Sequence, residues 1–209
     1  MLAALCAVRN GEIGDIAAIT GLNNGQMPAG WFSSPDLAGG GAAMDHIVHL
    51  ADLMRWFIGS APNEVYAEME TLLHVGIEVE DVVTVLLRFP NGAVGSIDSS
   101  WSRPDAYPTW GGLRFRVIGT KGVIDVDAFA QTISVYRNQQ RLPVWKVWGS
   151  NADRAMLLAF AESVRSGNPV PVSGEDGLAA LRVVDAAYDS ARRGEPVTIS
   201  ERGMCSSTC

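Results

Sequence analysis

Asp45, His46, His49 and Asp52 sit inside the largely apolar stretch AAMDHIVHLADLMRWFI (42–58), and they include two of the chain's three histidines. On a helical wheel of about 100° per residue with Asp45 at the origin, His49 falls near 40°, Asp52 near −20° and Trp56 near 20°. Ala43, Ile47, Leu50, Met54, Phe57 and Ile58 gather on the opposite side. The pattern therefore places one narrow ionisable stripe on a helix that is buried elsewhere. Asp45 and His49, four residues apart, can touch. A carboxylate beside an imidazole orients the ring and favours its protonated form. That is the equipment of a general acid/base. Two other readings stand beside it. Asp45 can cap or solvate the first turn while His49 bonds a carbonyl in the core. Alternatively Asp45, His46 and His49 can ligate a metal. Against the metal, His46 lies about 60° around the helix from His49, and no HExxH or cysteine pair accompanies it.

The elements that must hold this stripe are legible on either side. Gly39, Gly40 and Gly41 precede the helix and are expected to leave its N-terminus open to polar ligands; Gly59 ends it. Upstream, 12–22 reads as a strand and 23–41, rich in Gly, Pro, Ser and Asn, as a long loop. Downstream, strands are expected at 64–73, 81–89, 93–101, 113–119, 122–127 and 132–136, with turns at PNG (90–92) and TKG (120–122). In 81–89, Val83, Val85, Leu87 and Phe89 share one face, with Thr84 and Arg88 on the other. Helices are expected over 151–166 and 175–193. This order predicts an α+β fold: an extended, mostly antiparallel, open-faced sheet with helices packed on one face. It is not the βαβα alternation of a nucleotide-binding domain.

Composition narrows the function. The chain has 209 residues, 47% hydrophobic and 19% charged, with a net charge of −7. That is a globular composition, and the acidic balance argues against nucleic acid. No apolar run reaches the roughly 20 residues of a membrane span. The opening MLAALCAVRNGEIGD lacks a basic leader region. Of three cysteines, two fall in the last five residues, which makes no disulfide framework. A cytoplasmic protein is expected.

The stretch GGGAAMDHIVHLADLMRWFIG resembles the signature G-G-G-x-x-x-D-x-x-x-H-x-x-D-x-x-x-W in the C-terminal domain of the glucose–fructose oxidoreductase / inositol dehydrogenase / rhizopine-catabolism (Gfo/Idh/MocA) family. NGEIGDIAAI resembles the family's entry into that domain, and EDVVTVLLRFPNGAVGSIDSSW its central hairpin. RVIGTKGVIDVD resembles its G-T-x-G turn, and FAESVRSGNPVPVSGEDGLAALRVVDAAYDSARRGEPVTI its closing helices. The resemblance implies a substrate-binding and oligomerisation domain over 1–200, followed by a disordered tail at 201–209. It implies an oxidoreductase that uses NAD or NADP on a sugar, polyol or related carbinol. His49 would match the catalytic acid/base, Asp45 the aspartate that assists it and binds the substrate hydroxyl, and Trp31 a substrate contact. Arg103, Tyr107 and Trp110 could wall the cleft, with Trp145 and Trp148 as an arm or interface contact. Family members commonly pair through the open sheet face, which implies a homo-oligomer.

The chain departs from the family in showing no G-x-G-x-x-G after a strand and no E-K-P lysine. The expectation is that the nucleotide-binding domain is absent, that NAD or NADP does not bind this chain alone, and that the chain is inactive by itself. A non-catalytic oligomerisation or ligand-binding module that keeps the fold is the alternative. No metal ligand is expected.

Overall fold

The computed structural model describes residues 1–129, 132–137, 140–147 and 151–199, the second and third of these by backbone alone. Helix α1 (Leu2–Arg9) leads through a turn into β1 (Ile16–Gly25). A 3₁₀ turn at Gly30–Ser33 and the short α2 (Pro35–Ala38) precede α3 (Ala42–Ile58). Five strands follow: β2 (Glu64–Glu70), β3 (Val82–Arg88), β4 (Val94–Ser100), β5 (Gly111–Gly119) and β6 (Val123–Asp127). Then come β7 (Thr132–Arg137), β8 (Gln140–Val147), α4 (Ala152–Ser166), α5 (Gly174–Arg193) and β9 (Val197–Thr198).

The main sheet has seven strands in the order β6-β5-β1-β4-β3-β2-β9, and β7 pairs with β8 in a separate ribbon. Within the main sheet β1 runs parallel to β4, and the other described pairings are antiparallel. The fold is thus α+β, as the order of elements predicts. Strand alternation sorts the residues cleanly. Val65, Ala67, Val83, Val85, Leu87, Phe115 and Val117 are buried against α3 and α5. The opposite face keeps Leu22, Leu86 and Val94 exposed. Apolar periodicity makes α3 a core helix: Ala43, Ile47, Leu50, Met54 and Phe57 are all buried.

Several boundaries differ from expectation, each for a local reason. Residues 2–9 form a helix too short to announce itself by periodicity and without a capping side chain. The first strand begins at Ile16 rather than 12, because Gly11 and Gly14 take positive φ and turn the chain first. It runs on through polar Asn23 and Asn24, which register against Gly112 and Leu113 of the β5 region and Ser99 and Ser100 of β4. The strand expected over 64–73 stops at Glu70, because the N–H groups of Leu72, Leu73 and His74 bond the buried Asp81 carboxylate at 2.8, 2.9 and 2.7 Å instead of a ladder. Strand β8 was not expected; Pro143 and its charged neighbours mask it. Of the expected aromatic arm, Trp145 lies in a strand described by backbone and Trp148 lies outside the described residues, as does 201–209.

Candidate active site

Helix α3 carries the site, and its first turn is anchored from an unexpected direction. Rather than standing open, the helix N-terminus is filled from within. Glu80 Oε1 accepts from the N–H groups of Gly41 and Ala43, each at 2.9 Å, and from Tyr188 Oη at 2.8 Å. The backbone N–H of Ala42 bonds Glu80 O at 2.9 Å. The approach needs glycine: a Cβ on Gly41 would lie 2.1 Å from Glu80 O, and one on Gly40 would strike the Tyr188 hydroxyl. Burial, then the neighbouring Glu80, holds the Tyr188 hydroxyl well above its ordinary pKa, so it stays a donor.

The stripe itself divides. Asp45 does not bond His49. Its Oδ2 accepts from His46 Nε2 and from Trp101 Nε1, each at 3.1 Å. Trp101 and His46 are both buried, at 1% and 3% exposure. The expected i,i+4 contact gives way because Asp45 is drawn toward the indole at the end of β4. Burial raises the Asp45 pKa, but the bonds from His46 and Trp101 outweigh it and leave the carboxyl below its ordinary value. The His46 ring fits because residue 25 is glycine; a Cβ there would lie 2.9 Å from the ring.

His49 stands at the exposed edge of a cavity of about 790 Å³. Asn23, His46 and Asp52 also line it, with a largely apolar remainder that includes Val48, Leu53, Leu113 and Leu181. Desolvation, with the nearby His46, lowers the His49 pKa, against the opposing pull of Asp45 and Asp52. His49 is therefore a neutral imidazole at neutral pH, able to accept a proton. Arg55 braces Asp52 and Asp176, which both line the cavity. It bonds Asp52 of its own helix at 3.2 Å and also Asp176, whose Oδ2 accepts from Ser173 N at 2.7 Å to close the capping box of α5. The ion pairs thus lock α3 to the start of α5.

The other expected site residues scatter. Trp31 does not line the cavity; it is 54% exposed and stacks on Phe32 with ring centroids 4.1 Å apart. Trp110 does line it. Arg103 turns instead into its own loop, bonding Thr109 O at 3.1 Å and Gly111 O, with its guanidinium 4.1 Å from the Tyr107 ring centroid. Sequence reasoning placed Asp52 on the ionisable stripe without a role, missed Asn23 and Asp176 as cavity residues and set His46 aside. The signal for Asn23 was a polar doublet in a strand; for Asp176 there was none beyond helix capping.

Among the described residues no group of three or more His, Cys, Asp or Glu is placed to hold a metal ion. Nor does the N-terminus of α3 offer a cradle for a pyrophosphate. The one glycine-rich helix N-terminus is taken by Glu80, so its N–H groups are not offered to a pyrophosphate. Among the described residues no helix is long and apolar enough to cross a membrane.

Residues 1–125 match the GFO/IDH/MocA C-terminal domain. Similar proteins include a myo-inositol 2-dehydrogenase from Thermotoga maritima, 30% identical over 93% of this chain and 59% of its own length. A D-xylose 1-dehydrogenase (NADP(+)) from Haloferax volcanii is 26% identical over 90% of this chain and 58% of its own. Among solved structures, GenD2 from gentamicin A biosynthesis in complex with NAD superposes with a TM-score of 0.82 at 27% identity, covering 95% of this chain and 60% of that one. The chain spans about 60% of the length of the relatives it matches.

Proposed function

The chain belongs to the Gfo/Idh/MocA family through its C-terminal domain, and on that premise we propose that it is the substrate-binding and proton-transfer part of an oxidoreductase acting on a carbinol of a sugar or polyol. The observation that carries this reading is His49, held below its ordinary pKa at the edge of a cavity of about 790 Å³. A neutral imidazole there accepts the hydroxyl proton of a bound carbinol. Loss of that proton raises electron density on oxygen and weakens the adjoining C–H bond. Asp52 faces the same cavity and supports the imidazolium that forms, as Asp45 does from behind. Asp45 thus acts on the proton through its field and through His46, rather than by touching the substrate. The apolar walls exclude water around the reacting carbon. NAD or NADP, when bound, would take the hydride from that carbon, and the chemistry assigned to the residues of this chain is confined to substrate binding and proton transfer.

The names of the relatives point to inositol and pentose substrates. Titrating the chain with myo-inositol and D-xylose while following the histidine ring resonances tests the reading. A saturable change at His49 with one of them, weaker with the mono-alcohol cyclohexanol, is expected. Unchanged His49 resonances with both polyols would contradict it.

A further inference from the structure

Two buried polar atoms in this cavity have no protein partner. Asn23 is 7% exposed and His46 3% exposed, and both line the cavity. Asn23 Nδ2 donates to Gly112 O at 2.8 Å, which leaves Oδ1 without a hydrogen bond. His46 Nε2 lies 3.1 Å from the Asp45 carboxylate, which can only accept, so the tautomer that bonds it carries its proton on Nε2 and presents Nδ1 as an acceptor. Nδ1 likewise has no hydrogen bond. Buried polar atoms are nearly always paired, and leaving one unpaired is costly. Here the two residues line one cavity. Asn23 and Gly25 are alternate residues on the same buried face of β1, and the His46 ring rests against Gly25.

Both orphan atoms accept, and neither donates. We propose that Asn23 Oδ1 and His46 Nδ1 form a second subsite that receives hydroxyl hydrogens of the polyol away from the carbon that His49 serves. This inference rests on the polyol reading above and adds a requirement: the substrate must carry hydroxyl donors beyond the reacting one. A mono-alcohol would leave both acceptors unpaired, so selectivity against it follows from the same atoms. The held tautomer is what makes His46 a reader of donors. The Trp101–Asp45–His46 chain fixes Nε2–H and so keeps Nδ1 free to accept. His46 and Asn23 are specificity-determining groups, whereas His49 handles the proton.

The test is a titration of the chain with myo-inositol, reading the ring nitrogens by long-range ¹H–¹⁵N correlation. The expected result is that His46 Nδ1 moves upfield, as an acceptor does on gaining a bond, with the same saturation curve as His49. His46→Leu, checked for folding by its thermal melt, should weaken myo-inositol binding about ten-fold. If His49 responds while His46 Nδ1 stays still, the subsite is overturned and the polyol reading survives. If neither histidine responds, the polyol reading fails and the subsite falls with it. The wild-type spectrum decides between these outcomes even if the variant does not fold.

Discussion

Asp45 Oδ2 accepts from Trp101 Nε1 and His46 Nε2, while the imidazole one turn further on is left to the cavity. Two histidines three residues apart thus receive different tasks from their surroundings alone. A comparable division occurs at the neighbouring acid Asp81, which is fully buried. Burial raises its pKa, but the N–H groups of Leu72 and His74, the His74 ring and the N–H of Leu73 lower it further, leaving it below the ordinary carboxylate value. The sign of the linkage follows. Its folded pKa lies below its unfolded one, so its contribution is complete above the unfolded value and is lost as pH falls through the folded value. Asp81→Asn should cost about 2 kcal/mol at neutral pH. It should also flatten the acid limb of a melting-temperature profile recorded from pH 6 to pH 2. A variant whose acid limb parallels the wild type would show that Asp81 does not hold the 71–74 turn through its charge.

At the scale of elements, α3 is positioned by its ends as much as by its apolar face. Glu80 gives one carboxyl oxygen to two backbone N–H groups and the Tyr188 hydroxyl, so α3, α5 and the segment before β3 meet at that oxygen. Glu80→Ala should destabilise by about 3 kcal/mol in denaturant unfolding, and Glu80→Gln, which keeps the acceptor, by about 1 kcal/mol. Equal losses for both would mean that charge rather than hydrogen bonding matters there. Nothing in the stretch GIEVED announces that role, because the partners are backbone groups some forty residues away. By contrast, α3, the β3–β4 hairpin and the buried face of the sheet were legible. Each depends on a periodicity that residues such as Ile47, Leu50, Val83 and Val85 display directly. His49 at the cavity was legible from the same wheel. The direction Asp45 takes was not, since a wheel cannot show that Trp101 lies behind it. Helix α4 illustrates the opposite limit. Its Met156, Leu157, Phe160 and Val164 form the expected apolar face, yet all are more than half exposed. Periodicity reveals a face and leaves its partner open.

For the whole molecule, the sheet's second face bears on assembly. Leu22, Leu86 and Val94 are exposed on it, amid Arg114 and Arg116. We propose that two copies associate through this face, as the family resemblance implies. The chain satisfies these arginines itself. Arg116 pairs with Asp125 at 2.6 Å and Arg114 with Asp127 at 2.6 Å, across β5 and β6. The apolar positions should therefore govern association. Leu86→Glu should shift light scattering toward monomer without altering the melt of the isolated chain, and wild-type scattering as a monomer at micromolar concentration would contradict the proposal. The central claim concerns proton transfer at His49, and one measurement reaches it most directly. Joining a matching nucleotide-binding domain to this chain and comparing kcat for the parent and His49→Ala on a polyol substrate isolates that step. A fall of about 10²–10⁴-fold is predicted, the scale of losing a positioned general base. A parent and H49A variant that turn over at the same rate would contradict the account.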